Sequence, residues 1–280
     1  MTATQKIDRK AYELAKSYLP SKIKGVTREI IEKYQNEPDS APRLSLKKGL
    51  YRYLLYSAQE MAMKPKVIGN AIGGLDRLAL ILDDFDPDYV LRTYGDEWEA
   101  VLVQIEETLN PVGKIRKTPR SIWPRYCQTI ISAAKFIEQF DSANDFFNWV
   151  NFFNSDDRSR ASLPMLLDYE IKGFGFALGC DFLMKLGYSN FCKPDVHLRD
   201  IFTGLELCQP KVDDYNLFKT IIRVAKNANA SPYATDKIFW LIGSGYFYDD
   251  PSIGSGGHIG SQKNEFIKFA RSELYGSNES

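Results

Sequence analysis

Apolar residues recur at the spacing of one helix face through most of the chain. In "LSLKKGLYRYLLYSAQEMAM", every fourth position from Leu46 to Ala58 is apolar, and Tyr53 and Met61 widen that face. The segments "RYCQTIISAAKFIEQF" and "TDKIFWLIG" follow the same rule. Strand-like alternation is scarce and no βαβ rhythm occurs. The pattern therefore predicts an all-α protein of short helices packed in pairs.

Several local signals mark where these helices begin and end. In "SANDFFNWVNFF", Ser142 and Asp145 have the spacing of a helix N-cap. Two helices, "LPMLLDYE" and "FALGCDFLMKLG", are predicted on either side of the bend "IKGFG", and Gly187 is placed to end the second. Breaks fall at "NEPDSAPR", "NPVGKIRKTPRS" and "DDPSIGSGGHIGSQ". The last break is predicted to be a mobile surface loop with His258 exposed, rather than a nucleotide-binding loop.

Composition narrows the class of protein. The chain has 280 residues, of which 44% are hydrophobic, as in soluble globular proteins. No apolar run reaches the length of a membrane span, and the start "MTATQKIDRK" does not resemble a signal peptide. We expect a protein that is not secreted and has no membrane partner. The four cysteines form no CxxC pair, so reduced, mostly buried thiols are expected and a zinc site is not. They are Cys127, Cys180, Cys192 and Cys208.

Charge is balanced overall but uneven along the chain. The formal net charge is zero, with 36 basic and 36 acidic side chains. Acidic groups gather in "DDFDPD" and "DEWE". Two stretches are basic: Lys114, Arg116, Lys117, Arg120 and Arg125, and then Arg43, Lys47, Lys48 and Arg52. A basic face can bind a phosphate backbone at zero net charge because the local field matters, although ordinary solvated surface charge fits the same pattern.

The bend "IKGFG" carries the most specific signal. Gly173 and Gly175 flank Phe174, and glycine is used where the backbone needs positive φ or must approach something closely. A helix that begins directly after such a bend presents main-chain N–H groups and the positive end of its dipole, which bind anions. Lys172 would add charge. A tight interhelical turn without a ligand fits the same residues.

Two further blocks give the bend a family resemblance. After the second helix comes "PDVH", Pro194 to His197, and far upstream lies "LLYSAQEMA", Leu54 to Ala62. With Ile171, Gly173 and Gly175, these blocks resemble the helix–hairpin–helix DNA glycosylases, the superfamily that includes endonuclease III and the adenine, oxidised-guanine and alkylated-purine glycosylases. The matched blocks span most of residues 45 to 205.

The resemblance implies roles for particular residues. Asp195 would be catalytic, although its spacing also suits a helix N-cap, and both roles can coexist. Gln59 stands at the position of the wedge that fills the gap left by a flipped base. An aromatic base pocket is expected from Trp123, Tyr126, Phe176 and Trp240, although most aromatics here also suit the core. The DNA-binding set comprises Gln59, Lys172, Gly173, Phe174, Gly175, Ala177, His197 and Arg199.

Departures from the family pattern limit what is carried over. Bifunctional members have a lysine where this chain has Ala177, so a Schiff-base lyase is not expected, with Lys172 or Lys193 as conceivable substitutes. The four-cysteine iron–sulfur loop is missing, because only Cys208 follows Asp195 closely. The expected cofactor is therefore none, or at most a monovalent cation at the hairpin. The stretch between the Gln59 block and the hairpin is longer than in compact members.

Together these features predict a monofunctional DNA glycosylase that acts on a damaged, mispaired or modified base in double-stranded DNA. The implied architecture is two helical subdomains with a cleft between them. Residues 41–189 would form the central domain, with the hairpin motif at about 163–187, and residues 1–40 plus 190–280 the second. A monomer, cytoplasmic and nucleoid-associated or nuclear, is expected. The alternatives are a non-catalytic DNA-binding protein and a glycosylase for hypermodified bases of foreign DNA.

Overall fold

The computed structural model describes residues 1–36, 44–61 and 67–276. In chain order its α-helices are α1 Ala3–Lys22, α2 Arg28–Gln35, α3 Lys47–Ala58, α4 Val67–Ala71, α5 Pro87–Tyr94, α6 Trp98–Gln104, α7 Ile122–Glu138, α8 Ala143–Asn154, α9 Ser162–Glu170, α10 Phe176–Lys185, α11 Val196–Gly204, α12 Asp214–Ala228, α13 Pro232–Ser244 and α14 Lys263–Tyr275. Short 3₁₀ turns cover Gln59–Met61 and Leu75–Leu80, and a π turn covers Ile105–Leu109. No strand occurs in the described ranges, so the all-α prediction is confirmed.

The chain forms two compact units. Met1–Ala41 and Leu183–Ser280 make up one, here called the terminal unit, and Pro42–Phe182 make up the other, the central unit. Helix α10 begins in the central unit and ends in the terminal unit. The predicted central domain covers residues 41–189, and the compact central unit covers Pro42–Phe182, so its end falls inside α10. The domain assignment stays a prediction.

The central unit is built around α7, against which α3, α5 and α6 pack. Ile130, Ala134 and Ile137 of α7 are fully buried, and removal of such apolar surface from water drives this packing. The hydroxyl of the buried Tyr51 donates to the carbonyl of Ile130 at 2.8 Å, which satisfies a polar group inside the core. Leu46 was predicted to share the buried face of α3. That prediction is wrong, because the helix begins at Lys47 and Leu46 is 67% exposed.

The terminal unit is arranged around α13, which contacts α2, α11 and α12. Helix α1 packs on α12, and a fully buried carboxylate on α1 joins them. Asp8 accepts from Nε and Nη2 of Arg223 at 2.9 and 3.0 Å and from Nδ2 of Asn227 at 2.7 Å. A buried charge needs this number of partners, because desolvation of an unpaired carboxylate is costly.

Two helix ends predicted from the sequence are present in the structure. The Ser142 hydroxyl accepts from the Asp145 N–H at 3.1 Å, which confirms the predicted start of α8. Gly187 has φ of +92°, and the Tyr188 N–H behind it donates to the Leu183 carbonyl, a helix-ending arrangement that confirms the predicted stop. His258 is exposed, as predicted, and its ring stacks on that of Tyr246 at 4.1 Å.

Other predictions about composition can be compared with the described residues. All four cysteines are thiols rather than disulfides, and Cys208 alone of the four is not fully buried. No helix in the described ranges has both the length and the hydropathy that crossing a bilayer requires. The predicted break "NEPDSAPR" falls mostly outside those ranges, as does Ala62 at the end of the Gln59 block.

Candidate nucleic-acid interface and carboxylate site

The glycine bend joins α9 to α10 in the central unit. Ile171 ends α9 and is fully buried, and its carbonyl accepts from the Phe174 N–H at 3.1 Å, which closes the turn. Gly173 has φ of +77° and Gly175 has φ of +22°, backbone conformations that residues other than glycine rarely adopt. Helix α10 begins at the next residue, so its first N–H groups, which have no partners within the helix, lie at the bend.

Helix α7 holds this bend in place through two hydroxyls. Thr129 Oγ1 donates to the Lys172 carbonyl at 2.6 Å, and the Lys172 N–H donates to Ser132 Oγ at 3.0 Å. The ring of Phe174 is fully buried 5.9 Å from that of Phe182. The bend is therefore fixed at both its main chain and its central side chain. Sequence reasoning missed Thr129 and Ser132, because nothing local distinguishes them from other hydroxyls on a helix.

The two glycines of the bend face different surroundings. A Cβ added at Gly173 would lie 3.3 Å from Thr129 Oγ1 and 3.9 Å from Arg125 Nε, so this position backs onto α7. A Cβ added at Gly175 would meet no atom of the described residues within 4 Å. The main chain at Gly175 therefore leaves room for a ligand to approach, whereas Gly173 allows the bend to pack closely against α7.

Side chains around the bend divide into exposed and buried groups. Lys172 is exposed, and Ala177 in the first turn of α10 is half-buried. The ring of Phe174 belongs to the core, so only its main chain can meet a ligand in this arrangement. Arg125 is half-buried beside Gly173.

The two basic stretches look alike in sequence but differ in pairing. In the second stretch, Lys47, Lys48 and Arg52 form ion pairs with acidic side chains: Lys47 with Glu138, Lys48 with Asp86 and Arg52 with Asp76. Arg43 lies outside the described residues. In the first stretch, which leads into α7, Lys117 pairs with Glu106 at 2.7 Å. The exposed side chains Lys114, Arg116 and Arg120 form no ion pair with any described residue. Unpaired cations in the same unit as the bend are what a phosphate strand requires.

Asp195 lies in the terminal unit, where it caps α11. Its Oδ1 accepts from the main-chain N–H groups of His197 at 2.9 Å and Leu198 at 3.1 Å. Burial raises the pKa of Asp195, and the hydrogen bond from Leu198 and the charges of His197 and Lys193 oppose that rise. The N-cap role that the spacing allowed is therefore present. The residue as a whole is half-buried.

A second carboxyl group, which sequence reasoning missed, belongs to the same site. Asp236 of α13 is only 3% exposed, and its Oδ2 accepts from the Lys193 N–H at 2.5 Å. Burial raises the pKa of Asp236 to about 7; the charge of Lys237 lowers it and that of Asp195 raises it further. The signal in "TDKIFWLIG" was one charged residue on an otherwise apolar helix face, and only the fold places it at the Lys193 N–H, two residues before Asp195.

His197 and Arg199 are engaged within the terminal unit. A Cβ at Gly243 of α13 would lie 2.5 Å from His197 Cβ, so a glycine is needed where α11 and α13 meet. Nδ1 of His197 is buried and has no hydrogen-bond partner among the described residues. The guanidinium of Arg199 pairs with Asp214 and donates to the Val212 carbonyl. A DNA contact by Arg199 stays a prediction, and it would have to compete with these bonds.

The predicted wedge and pocket residues are mostly buried. Gln59 is 5% exposed, and its Oε1 would lie 3.0 Å from a Cβ at Gly69. Tyr126 is fully buried and donates to the Leu55 carbonyl at 3.1 Å. Trp123 and Phe176 are 5% and 7% exposed, whereas Trp240 is half-buried on α13. Their roles in base recognition stay predictions, and insertion by Gln59 would require its side chain to leave this position.

A metal centre does not emerge from the described side chains. No group of three or more His, Cys, Asp or Glu residues suited to an ion occurs in the described ranges.

Comparison with known proteins gives similarity at the level of structure. No protein-family model matches the chain, and no curated protein does. The chain is similar to the Methanocaldococcus jannaschii 8-oxoguanine glycosylase/lyase in complex with 15mer DNA containing 8-oxoguanine, at 15% identity and a TM-score of 0.49, over 81% of this chain and 94% of that one. It is also similar to the 8-oxoguanine DNA glycosylase of Thermotoga maritima, at 14% identity and a TM-score of 0.49, over 84% and 96%. The chain is all-α.

Proposed function

We propose that this protein is a DNA glycosylase that hydrolyses the N-glycosidic bond of a damaged, mispaired or modified base. The observation that carries the proposal is the glycine bend. Its second glycine faces open space at the start of α10 and shares the central unit with unpaired basic side chains. Main-chain N–H groups at a helix start bind phosphate oxygens and read no sequence, which suits an enzyme that must grip any stretch of DNA.

The chemistry proposed for Asp195 follows from what the reaction requires. A base inside a duplex is unreachable, so the nucleotide is flipped out before its bond to the sugar can break. As that bond breaks, positive charge develops on the sugar, as in other glycoside hydrolyses. A carboxylate beside the sugar stabilises this charge and orients a water for attack. Asp195 suits the task because two N–H groups hold one of its oxygens in place.

We propose hydrolysis without a lyase step. A lyase of this kind needs an amine at the sugar, and the position where the bifunctional enzymes carry it is Ala177. Lys172, exposed on the bend, and Lys193, two residues before Asp195, are the alternatives. Borohydride should therefore trap no covalent complex with damaged DNA. A trapped species that disappears in Lys172→Ala or Lys193→Ala would assign a lyase to that residue and contradict this part of the proposal.

The test of the proposed function is base release from mixed substrates. Alkylated, oxidised, deaminated and phage DNA are incubated with the protein, and freed bases are identified by mass spectrometry. Asp195→Asn should abolish release while DNA affinity stays within about threefold, because the amide keeps the shape but not the charge. Asp213→Asn is the matched control: Asp213 caps α12 as Asp195 caps α11. DNA binding without release from any substrate would favour the non-catalytic alternative, and release from phage DNA alone would favour the defence alternative.

A further inference from the structure

The segment that leads to Asp195 and α11 is hydrogen-bonded to a second carboxyl group, which lies on α13. Asp236 is almost fully buried, and its Oδ2 accepts from the Lys193 N–H at 2.5 Å. The Asp195 N–H donates to the Lys193 carbonyl at 2.8 Å, so both main-chain groups of Lys193 are used within one tight turn. Asp236 thus holds the residue from which the turn to Asp195 starts.

The two carboxyl groups have different surroundings. Burial raises the pKa of Asp195, but its carboxylate accepts two main-chain N–H bonds, both of which favour the ionised form. Asp236 is almost without exposed surface and accepts one such bond. Since two nearby carboxyl groups resist simultaneous ionisation, the more buried member keeps its proton longer.

Other charged or titratable groups of the described residues also act on this pair. Lys237 on α13 and Lys193 in the turn act on Asp236, and His197 on α11 and Lys193 act on Asp195. The phenol of Tyr233 on α13 also interacts with the charge of Asp236. Helix α2 contributes a neutral contact, because Gln35 Nε2 donates to the Ala234 carbonyl of α13 at 3.0 Å. The basic groups around the pair favour ionisation of both carboxyls but do not remove the difference in burial between them.

We propose that Asp236 is a positioning residue for Asp195: it anchors the turn at Lys193 and holds the single proton of the carboxyl pair, so that Asp195 carries the charge at neutral pH. The proposal deepens the function proposed above and rests on it where base release is concerned. Burial and repulsion from Asp195 place the pKa of Asp236 near 7, in agreement with this division of roles. Asp236 need not touch the DNA, because it acts through the turn and through its charge.

The proton is tested by carboxyl-carbon NMR titration of the full chain labelled at aspartate. The wild type should show one aspartate that titrates near pH 7, and Asp236→Asn should lose that signal. In Asp195→Asn the same titration should move down by about one pH unit or more, because the neighbouring charge is gone. The shared proton is refuted if no aspartate titrates above pH 6, or if the titration midpoint of that aspartate is the same in Asp195→Asn as in the wild type. This measurement needs no base release, so it can fail or succeed independently of the proposed function.

The positioning role is tested by single-turnover base release with two variants. Asp236→Asn keeps an oxygen for the Lys193 N–H and mimics the protonated acid, so its rate should match the wild type at pH 6 and depart from it above pH 7. Asp236→Leu fills the space but accepts no bond, so its rate should fall at least tenfold at pH 6 with DNA affinity unchanged. A purely structural role would give a rate ratio between Asp236→Asn and wild type that does not vary with pH. That constancy, or wild-type release by Asp236→Leu, would overturn the proposal.

Discussion

The glycine bend and the Asp195 turn are both anchored at a main-chain N–H, but by opposite means. In the bend, the Lys172 N–H donates to the neutral hydroxyl of Ser132, and two glycines adopt the positive φ angles that the bend requires. In the turn, the Lys193 N–H donates to the buried carboxyl of Asp236. The bend therefore depends on backbone conformation and should not respond to pH, whereas on our proposal the turn should respond to the protonation of Asp236.

The largest expected effect is the pH dependence of stability from Asp236. Its pKa is about 7 in the folded chain against an ordinary 3.8, so the native state binds the proton more tightly. The resulting stabilisation is complete below about pH 4 and is lost as the pH rises through about 7. It amounts to up to about 4 kcal/mol. Relative to their difference at pH 4, Asp236→Asn should therefore gain stability over the wild type by pH 8, as measured by urea unfolding across this range.

The control for that titration is a carboxyl group in the opposite situation. Asp213 is exposed, and the Asn216 N–H lowers its pKa. Asp213→Asn should give no relative gain between pH 4 and pH 8. Parallel pH profiles for Asp236→Asn and the wild type would erase the contrast between turn and bend.

A smaller, pH-independent loss is expected from Gly173→Ala. An alanine at φ of +77° costs about 1–2 kcal/mol, and its Cβ would press on Thr129 Oγ1 at 3.3 Å. Urea unfolding at pH 5 and pH 8 should show the same loss. Gly25→Ala is the matched control, because Gly25 has φ of +90° and open space around it, so it reports strain alone. A loss no larger than that of Gly25→Ala would remove the role given to the contact with α7.

These two sites differ in how far the sequence predicts them. The bend is local: "IKGFG" between two apolar helical patterns is enough to place the turn, its glycines and the start of α10. The cap at Asp195 is local as well. The contact of Asp236 cannot be predicted locally, because forty residues and two helices separate it from Asp195. No pattern within α13 indicates which segment Asp236 contacts. Tertiary contacts of this kind are decided by packing of whole helices.

The ion pairing of surface charges could likewise not be predicted from the sequence. Both basic stretches consist of Lys and Arg at close spacing, yet in the second stretch Lys47, Lys48 and Arg52 are paired with acids that come from distant segments. The sequence also placed Leu46 on a helix whose start it could not fix, because no side chain caps α3. Periodicity predicts which helices exist, while ends without a capping side chain and the pairing of surface charges depend on the assembled fold.

The smallest expected effect concerns the unpaired cations. Arg116→Ala or Arg120→Ala should each lower the slope of log affinity against log salt by about one unit if that side chain contacts a phosphate. Lys48→Ala is the control, since Lys48 already pairs with Asp86 at 3.1 Å. The measurement is titration of a duplex at several salt concentrations. Equal slopes for all three variants would show that this stretch is ordinary solvated charge.

Two substitutions separate DNA binding from base release. Affinity and single-turnover base release are measured for Asp195→Asn and Gly175→Ala on the substrate found by mass spectrometry. Asp195→Asn should bind like the wild type and release nothing, whereas Gly175→Ala should bind about tenfold more weakly and release the base at a near wild-type rate once DNA is saturating. Base release that survives Asp195→Asn would contradict the catalytic role proposed for Asp195. A Gly175→Ala variant that binds as tightly as the wild type would contradict the DNA-binding role proposed for the bend.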